Sequence, residues 1–265
     1  MILKYIFRHT NPDFLNRDFE KLTPKDIMFR KAIYHSGFKF GLLLLSAITF
    51  IGVFVPFFVD MSPYDQDISK RLLPPVWSEG GSWKYIFGTD GNGRDYLARI
   101  IYGTRVSLTI GIGAATVGML IGVTLGVIAG YFGGIVDQVV SYILTCQLAL
   151  PGILFLLTII SIVGSSLTVV ILVIGVLHWT LFLVVTRAAT QRIRNLDYIT
   201  AANAIGASKT NIIFTDILPN VLNQIIVIFT LEVGVAILAE ATISFLGLGI
   251  QPPTPSWGVL LSLIH

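Results

Sequence analysis

Between Val106 and Thr186 the chain has no lysine or arginine, and Asp137 is its only acid in that stretch. From Thr210 to His265 lysine and arginine are again absent. A soluble domain needs a charged surface to keep its core in water, and segments this long without cations cannot supply one. Only 12% of the 265 residues are charged, roughly half the usual share of a soluble domain. With 54% hydrophobic residues and a mean hydropathy of +0.79, the composition implies an integral membrane protein. The formal charge of +3 is too small to point to nucleic acid as a partner.

Crossing a hydrocarbon core of about 30 Å takes about 20 helical residues. Five stretches are long enough: residues 40–59, 106–129, 139–163, 167–185 and 225–245. Backbone groups in lipid must be hydrogen-bonded within their own segment, so these runs are expected to be helices, and the fold class is all-α polytopic. Pro151 and Gly152 predict a kink in the third. The alternating ten-residue segments of a β-barrel are missing. The expected organisation is an N-terminal segment 1–36, a first transmembrane helix 37–59, an external loop 60–105 and a core 106–265, which includes a loop 187–224. Lys4, Arg8, Arg17, Lys21, Lys25, Arg30 and Lys31 precede the first span, which by the positive-inside rule puts the N-terminus in the cytoplasm. Arg187, Arg192, Arg194 and Lys209 in the 187–224 loop agree with that orientation. After Phe245 a polar turn leads into Val259-Leu260-Leu261, which reads as the rudiment of a sixth helix.

Small residues recur every four positions in the second span, at Ala114, Gly118, Gly122, Gly126, Gly130 and Gly134. They would line one slowly winding groove, where another backbone can approach closely. Glu232 and Glu240 lie in the fifth span, where an ionised group costs roughly 2.5–3.5 kcal/mol at the membrane centre. Eight residues set them about 80° apart on the helix. They are therefore expected to face the interior, a translocation path or a subunit interface, to be protonated, or to reach the membrane surface. The single cysteine, Cys146, is expected to be a buried thiol, and His178 and Trp179 to be polar residues in a packed bundle or cavity. No phosphate-binding loop is present, since Ser208 rather than glycine precedes Lys209, and no His/Asp/Glu cluster has metal-ligand spacing.

The segment from Asp197 to Asn220 reads as a short helix, a turn at Gly206 and a second short helix. Asp197 is the expected cap of the first, and Ser208 the cap of the second, which should stop before Pro219. This element suggests a docking surface. It resembles the "EAA" loop of ABC-transporter permeases, the signature of binding-protein-dependent importers. Ala201, Ala202 and Gly206 stand at the matching Ala-Ala and Gly positions, and Leu218-Pro219-Asn220 matches the usual ending. Two further blocks, Gly88–Leu108 and Phe245–Gly258, resemble the second, C-type permease of the dipeptide/oligopeptide (and nickel) import branch. The chain departs from the family pattern at Thr200, where glutamate is usual, and at Asp216, where a basic residue is usual. It also departs in lacking a sixth span, which implies a truncated chain, a fragment or a degenerate copy.

The resemblance implies a permease bundle forming half of a translocation path for peptides or a related small solute. A homologous second permease would form the other half, two ATPase subunits would dock on the 197–220 loop, and an external solute-binding protein would deliver the solute. No covalent chemistry and no cofactor are expected on this chain, since ATP and magnesium would sit on the ATPases. The implied location is the bacterial or archaeal plasma membrane. A reading from another class is an ion-coupled secondary carrier working through Glu232 and Glu240, which would require the inverted repeats of such carriers. No such internal symmetry is visible in the sequence.

Overall fold

The computed structural model describes residues 33–59 and 61–262. The expected N-terminal segment therefore falls, up to residue 32, outside the described residues. The chain divides into two compact units, Met1–Val59 and Asp60–His265. In the first, helix α1 (Ser36–Phe58) is capped by the His35 ring, which accepts from the Phe38 N–H at 3.3 Å. Its 23 residues reach about 35 Å at 1.5 Å per residue, enough to span a bilayer.

In the second unit, helix α2 (Tyr96–Phe132) is followed by α3 (Gly134–Leu148), α4 (Gly152–Val163), α5 (Leu167–Leu177) and α6 (Trp179–Arg194). A short helix, α7 (Asp197–Ala204), then leads to the long α8 (Lys209–Phe245), and α9 (Trp257–Ser262) closes the described chain. The all-α expectation is met: among the described residues the only extended pairings are two isolated bridges. Four helical stretches are long and apolar enough to cross a membrane, and α3 and α4 together make a fifth if counted as one span. That pair is bent by 83° at the break around Pro151, so the expected kink is a sharp fold of the chain. Proline has no N–H to donate, and here it stands as the N-cap of α4 rather than inside a helix.

Three boundaries differ from the sequence reading. Helix α2 begins at Tyr96, ten residues before the expected span, because the Asp95 carboxylate caps it by accepting from Leu97 N (2.9 Å) and Ala98 N (3.3 Å). Helix α6 continues to Arg194, so the loop expected from residue 187 opens with two more turns of helix. Pro219 does not end a helix. Residues Ile212–Ile217 form a π-helical stretch in which Leu218 N–H reaches back to Ile213 O, and the helix continues through Pro219. The wider π turn displaces the carbonyls that the proline ring would otherwise strike.

Three apolar clusters hold this unit together, the smallest joining Ala129 of α2, Val140 and Leu144 of α3, and Trp179 and Leu183 of α6. Toward one end, Ile110, Leu156, Ile174 and Ile243 pack around Ala114 and Ala236. Toward the other, Phe182 and Ile193 of α6 pack with Ile199 of α7 and with Ile212, Ile217 and Ile225 of α8. This last cluster fastens the short helix to the two long ones it connects.

Candidate functional site

The four glycines Gly118, Gly122, Gly126 and Gly130 are all buried, and they face the α5–α6 helices. A Cβ added at Gly118 would lie 3.0 Å from His178 O, and one at Gly126 would lie 2.9 Å from Leu183 O. At Gly122 and Gly130 the nearest side-chain atoms would be Phe182 Cβ at 2.6 Å and Thr190 Cβ at 2.7 Å. Ridges of α6 thus rest directly on the α2 backbone, the close approach that small residues permit in lipid. Gly134 stands apart. It opens α3 with a φ of +54°, and a Cβ there would meet nothing within 4 Å. Arg187 and Asp137 bridge α6 to α3 (Nη2 to Oδ2, 2.6 Å), and Arg194 donates to Tyr131 O at 2.8 Å at the end of α2.

The segment between α6 and α8 is a tightly hydrogen-bonded turn. Helix α7 ends in a Schellman turn: Ala207 N–H donates to Ala202 O (3.0 Å) and Gly206 N–H to Asn203 O (3.1 Å), with Gly206 at a φ of +84°. Only glycine adopts that backbone without strain. Ser208 Oγ then accepts from Asn211 N at 3.3 Å and caps α8. Asp197 is not the cap of α7. That position belongs to Leu196, and Asp197 sits in the first turn, where its charge complements the helix dipole.

One side of this hairpin is anchored by the fully buried Ile199, Ile212 and Ile217, each worth roughly 1.5–3 kcal/mol of burial. On the other side Thr200, Ala201 and Gly206 are exposed, and Ala202 is half-buried. Asp216 is half-buried and Leu218 likewise, whereas Pro219 and Asn220 are exposed. The Asn220 amide donates to Asp216 O at 2.6 Å, so its side chain fastens the turn preceding it. Residues the sequence did not single out share the exposed face: Ile205 is 86% exposed, Phe214 65% and Tyr198 46%. Exposed apolar side chains at a helical hairpin are the available signal, but in so apolar a chain nothing in the sequence separates them from lipid-facing ones.

The two glutamates part company. Glu232 is buried, and its Oε2 lies 2.7 Å from His178 Nδ1. Both line a cavity of about 900 Å³ between α3, α4, α5, α6 and α8. Glu240 is not among the residues lining that cavity. It is fully buried, and its Oε1 accepts from Ser244 Oγ (2.7 Å) and Ser256 Oγ (2.8 Å), tying the segment before α9 to α8. Trp257 completes that anchor, donating from its backbone to Ser107 Oγ at 3.1 Å. Cys146, expected to be buried, is exposed and lines the same cavity as Glu232. An apolar neighbourhood in a membrane helix does not require burial, because lipid and cavity faces accept a thiol as readily as a core does.

At the start of α2, Thr89, Asp90 and Arg94 are buried. Arg94 pairs with Asp90 (Nε to Oδ2, 2.8 Å) and not with Asp95. Asp90 Oδ1 also accepts from the backbone of Asn92 (2.9 Å) and Arg94 (3.0 Å). Burial alone would raise the Asp90 carboxyl, but these N–H groups and the Arg94 guanidinium outweigh it and hold it below the ordinary value. Burial pushes Asp95 the other way, upward, against the opposing pull of the α2 N–H groups it caps. No group of three or more metal-ligating side chains occurs among the described residues.

The model of a protein family described as "Binding-protein-dependent transport system inner membrane component" matches residues 122–265. The chain is 35% identical to the di/tripeptide transport system permease protein DppC of Pseudomonas aeruginosa, over 91% of this chain and 79% of that protein. It is 38% identical to the dipeptide transport system permease protein DppC of Haemophilus influenzae, over 85% of this chain and 77% of the relative. For the DppC protein of Escherichia coli the identity is 38%, over 91% of this chain and 80% of the relative. None of these relatives is named as an ion-coupled carrier, and that alternative is not favoured.

Proposed function

The chain belongs to the family of inner membrane components of binding-protein-dependent transport systems, and from that premise we propose that it carries di- or oligopeptides across the membrane as one of two homologous permeases. Two ATPase subunits hold ATP and magnesium, and an external binding protein delivers the peptide. This chain binds no cofactor and breaks no covalent bond. The N-terminus is cytoplasmic, which puts the α7–α8 hairpin on the cytoplasmic side and the Asp90–Arg94 knot outside.

The observation that carries this reading is the hairpin. Its exposed edge, with Thr200, Ala201, Gly206 and the apolar Ile205, offers a docking face of a few residues. Its other edge is fused through Ile199, Ile212 and Ile217 to α6 and α8. A partner that moves the hairpin must move both long helices with it, and α6 in turn rests on the glycine seam of α2. A rigid-body rocking of that group would open the cavity alternately to either side. The ATP-bound partner must favour one of the two arrangements through differential contacts, since equal binding to both would drive nothing. Thr200 and Asp216 put a neutral and an acidic side chain on the hairpin, so the complementary ATPase surface needs no cation facing Thr200.

The test is affinity purification of the tagged chain after co-expression with its neighbouring transport subunits in mild detergent, with the bound proteins identified by mass. Recovery of a second permease together with an ATPase is the expected result. Recovery of the permease pair with the ATPase missing would refute the hairpin as its docking site.

A further inference from the structure

We infer that the carboxylate of Glu232, held by His178, is the counter-charge for the free α-ammonium group of a peptide occupying the cavity. The inference rests on the peptide reading above and adds a recognition site within this chain.

Glu232 and His178 are the only carboxylate and the only imidazole among the residues lining the cavity, and no lysine or arginine joins them. The His178 ring nitrogen holds one oxygen of the Glu232 carboxyl at 2.7 Å and so fixes the direction in which the group faces the cavity. Among the other polar residues of the lining, Gln147, Trp179 and Thr242 are already engaged. The Gln147 amide donates to Leu177 O at 2.8 Å and accepts from the Trp179 indole N–H, while Thr242 Oγ1 donates to Leu238 O at 2.8 Å. The stretches 106–186 and 210–265 contain no lysine or arginine to pair with Glu232, which leaves the cavity side of the carboxyl to a ligand's ammonium group.

A cavity of about 900 Å³ falls in the range of pockets for small organic molecules and is ample for a short peptide. Its walls, with Phe155, Val176 and Val235, suit varied side chains without selecting among them. A charge placed at one fixed point and apolar walls elsewhere is the arrangement for a ligand class with a constant ammonium and a variable remainder. Glu240, in contrast, is sealed by Ser244 and Ser256 and takes no part.

Cys146 provides a direct readout, being the chain's single cysteine and part of the same wall. In the assembled transporter, with cysteine-free partner subunits and no binding protein, the rate at which maleimide modifies Cys146 is measured with and without alanyl-alanine. The expected result is protection by alanyl-alanine, weaker by roughly tenfold or more in apparent affinity for the Nα-acetylated dipeptide, as for loss of one charge-assisted hydrogen bond. Glu232→Gln should lose the same preference and Glu232→Asp should keep part of it. The acetylated-peptide comparison uses the unaltered protein, so it decides the matter even if a variant fails to assemble. Equal protection by both peptides, or protection by sodium ions in place of peptide, would overturn the inference. Dipeptide uptake by the same complex with the binding protein restored separates the two levels. If uptake persists while protection ignores the α-amino group, the ammonium site is wrong and the peptide reading stands. If the unaltered complex takes up no dipeptide, both fall.

Discussion

At the residue scale the glycines divide by what surrounds them. Gly130 is pressed against Thr190 of α6, whereas Gly234 of α8 has nothing within 4 Å of where a Cβ would be. Gly130→Val should therefore overpack the seam at a cost of about 1–3 kcal/mol and lower the apparent melting temperature in detergent. Gly234→Ala should leave it unchanged or raise it, because alanine is the better helix former by about 1 kcal/mol. Thermal unfolding of the two variants checks this, and equal behaviour would mean that the four-residue stripe is not a packing seam. The stripe itself is legible in the sequence, because packing in lipid depends on side-chain size at helical spacing. That α6 fills it is not legible, since many apolar helices could. The pairing of His178 with Glu232 is hidden for a related reason: the two lie 54 residues apart, and the break between α5 and α6 sets the angle at which they meet.

At the scale of elements, capping chemistry decides where α2 starts, and a π-helical stretch decides that α8 runs through its proline. Asp95 draws α2 ten residues outward, and the π stretch before Pro219 lets α8 absorb what reads in the sequence as a separate short helix. Sequence rules treat proline as a stop, and they have no local signal for a π turn that makes room for it. The same chemistry makes the Gly88–Arg94 knot sensitive to acid. The Asp90 carboxyl is lower in the folded chain than in an unfolded one, so its ionised form stabilises the knot at pH above the ordinary carboxylate range. That stabilisation is lost as pH falls through the folded value. Asp95, shifted upward by burial, works in the opposite sense, so the contribution of Asp90 is read as a difference between proteins. Hydrogen exchange over residues 61–95, corrected for intrinsic rates, should accelerate on acidification in the native protein and much less so in Asp90→Asn. Identical acid profiles would mean that the carboxylate does not hold the knot.

At the scale of the whole molecule, membership in a binding-protein-dependent transport family and the mechanics of the hairpin make one account. The 197–220 block is readable as a short helix and a turn because Gly206 punctuates it, whereas Pro219, which reads as a stop, lies inside α8. Its exposed partners Ile205, Phe214 and Tyr198 become evident only once α7 is folded back on Ile193 and Ile217. The two glutamates look alike in sequence, yet one lines a cavity and the other anchors the segment before α9, a difference set by distant serines. The central claim is that ATP hydrolysis on a partner moves this hairpin and thereby drives peptide import. Its most direct test is ATP-dependent uptake of labelled dipeptide into proteoliposomes holding the assembled transporter, with the unaltered chain and with Gly206→Arg. Arginine at a φ of +84° costs about 1–2 kcal/mol locally and puts a bulky charge on the docking edge. The account requires ATP-dependent uptake with the unaltered chain and its loss in Gly206→Arg, with the permease pair still assembled. Undiminished ATP-dependent uptake in the variant, or uptake driven by an ion gradient without ATPase, would contradict it.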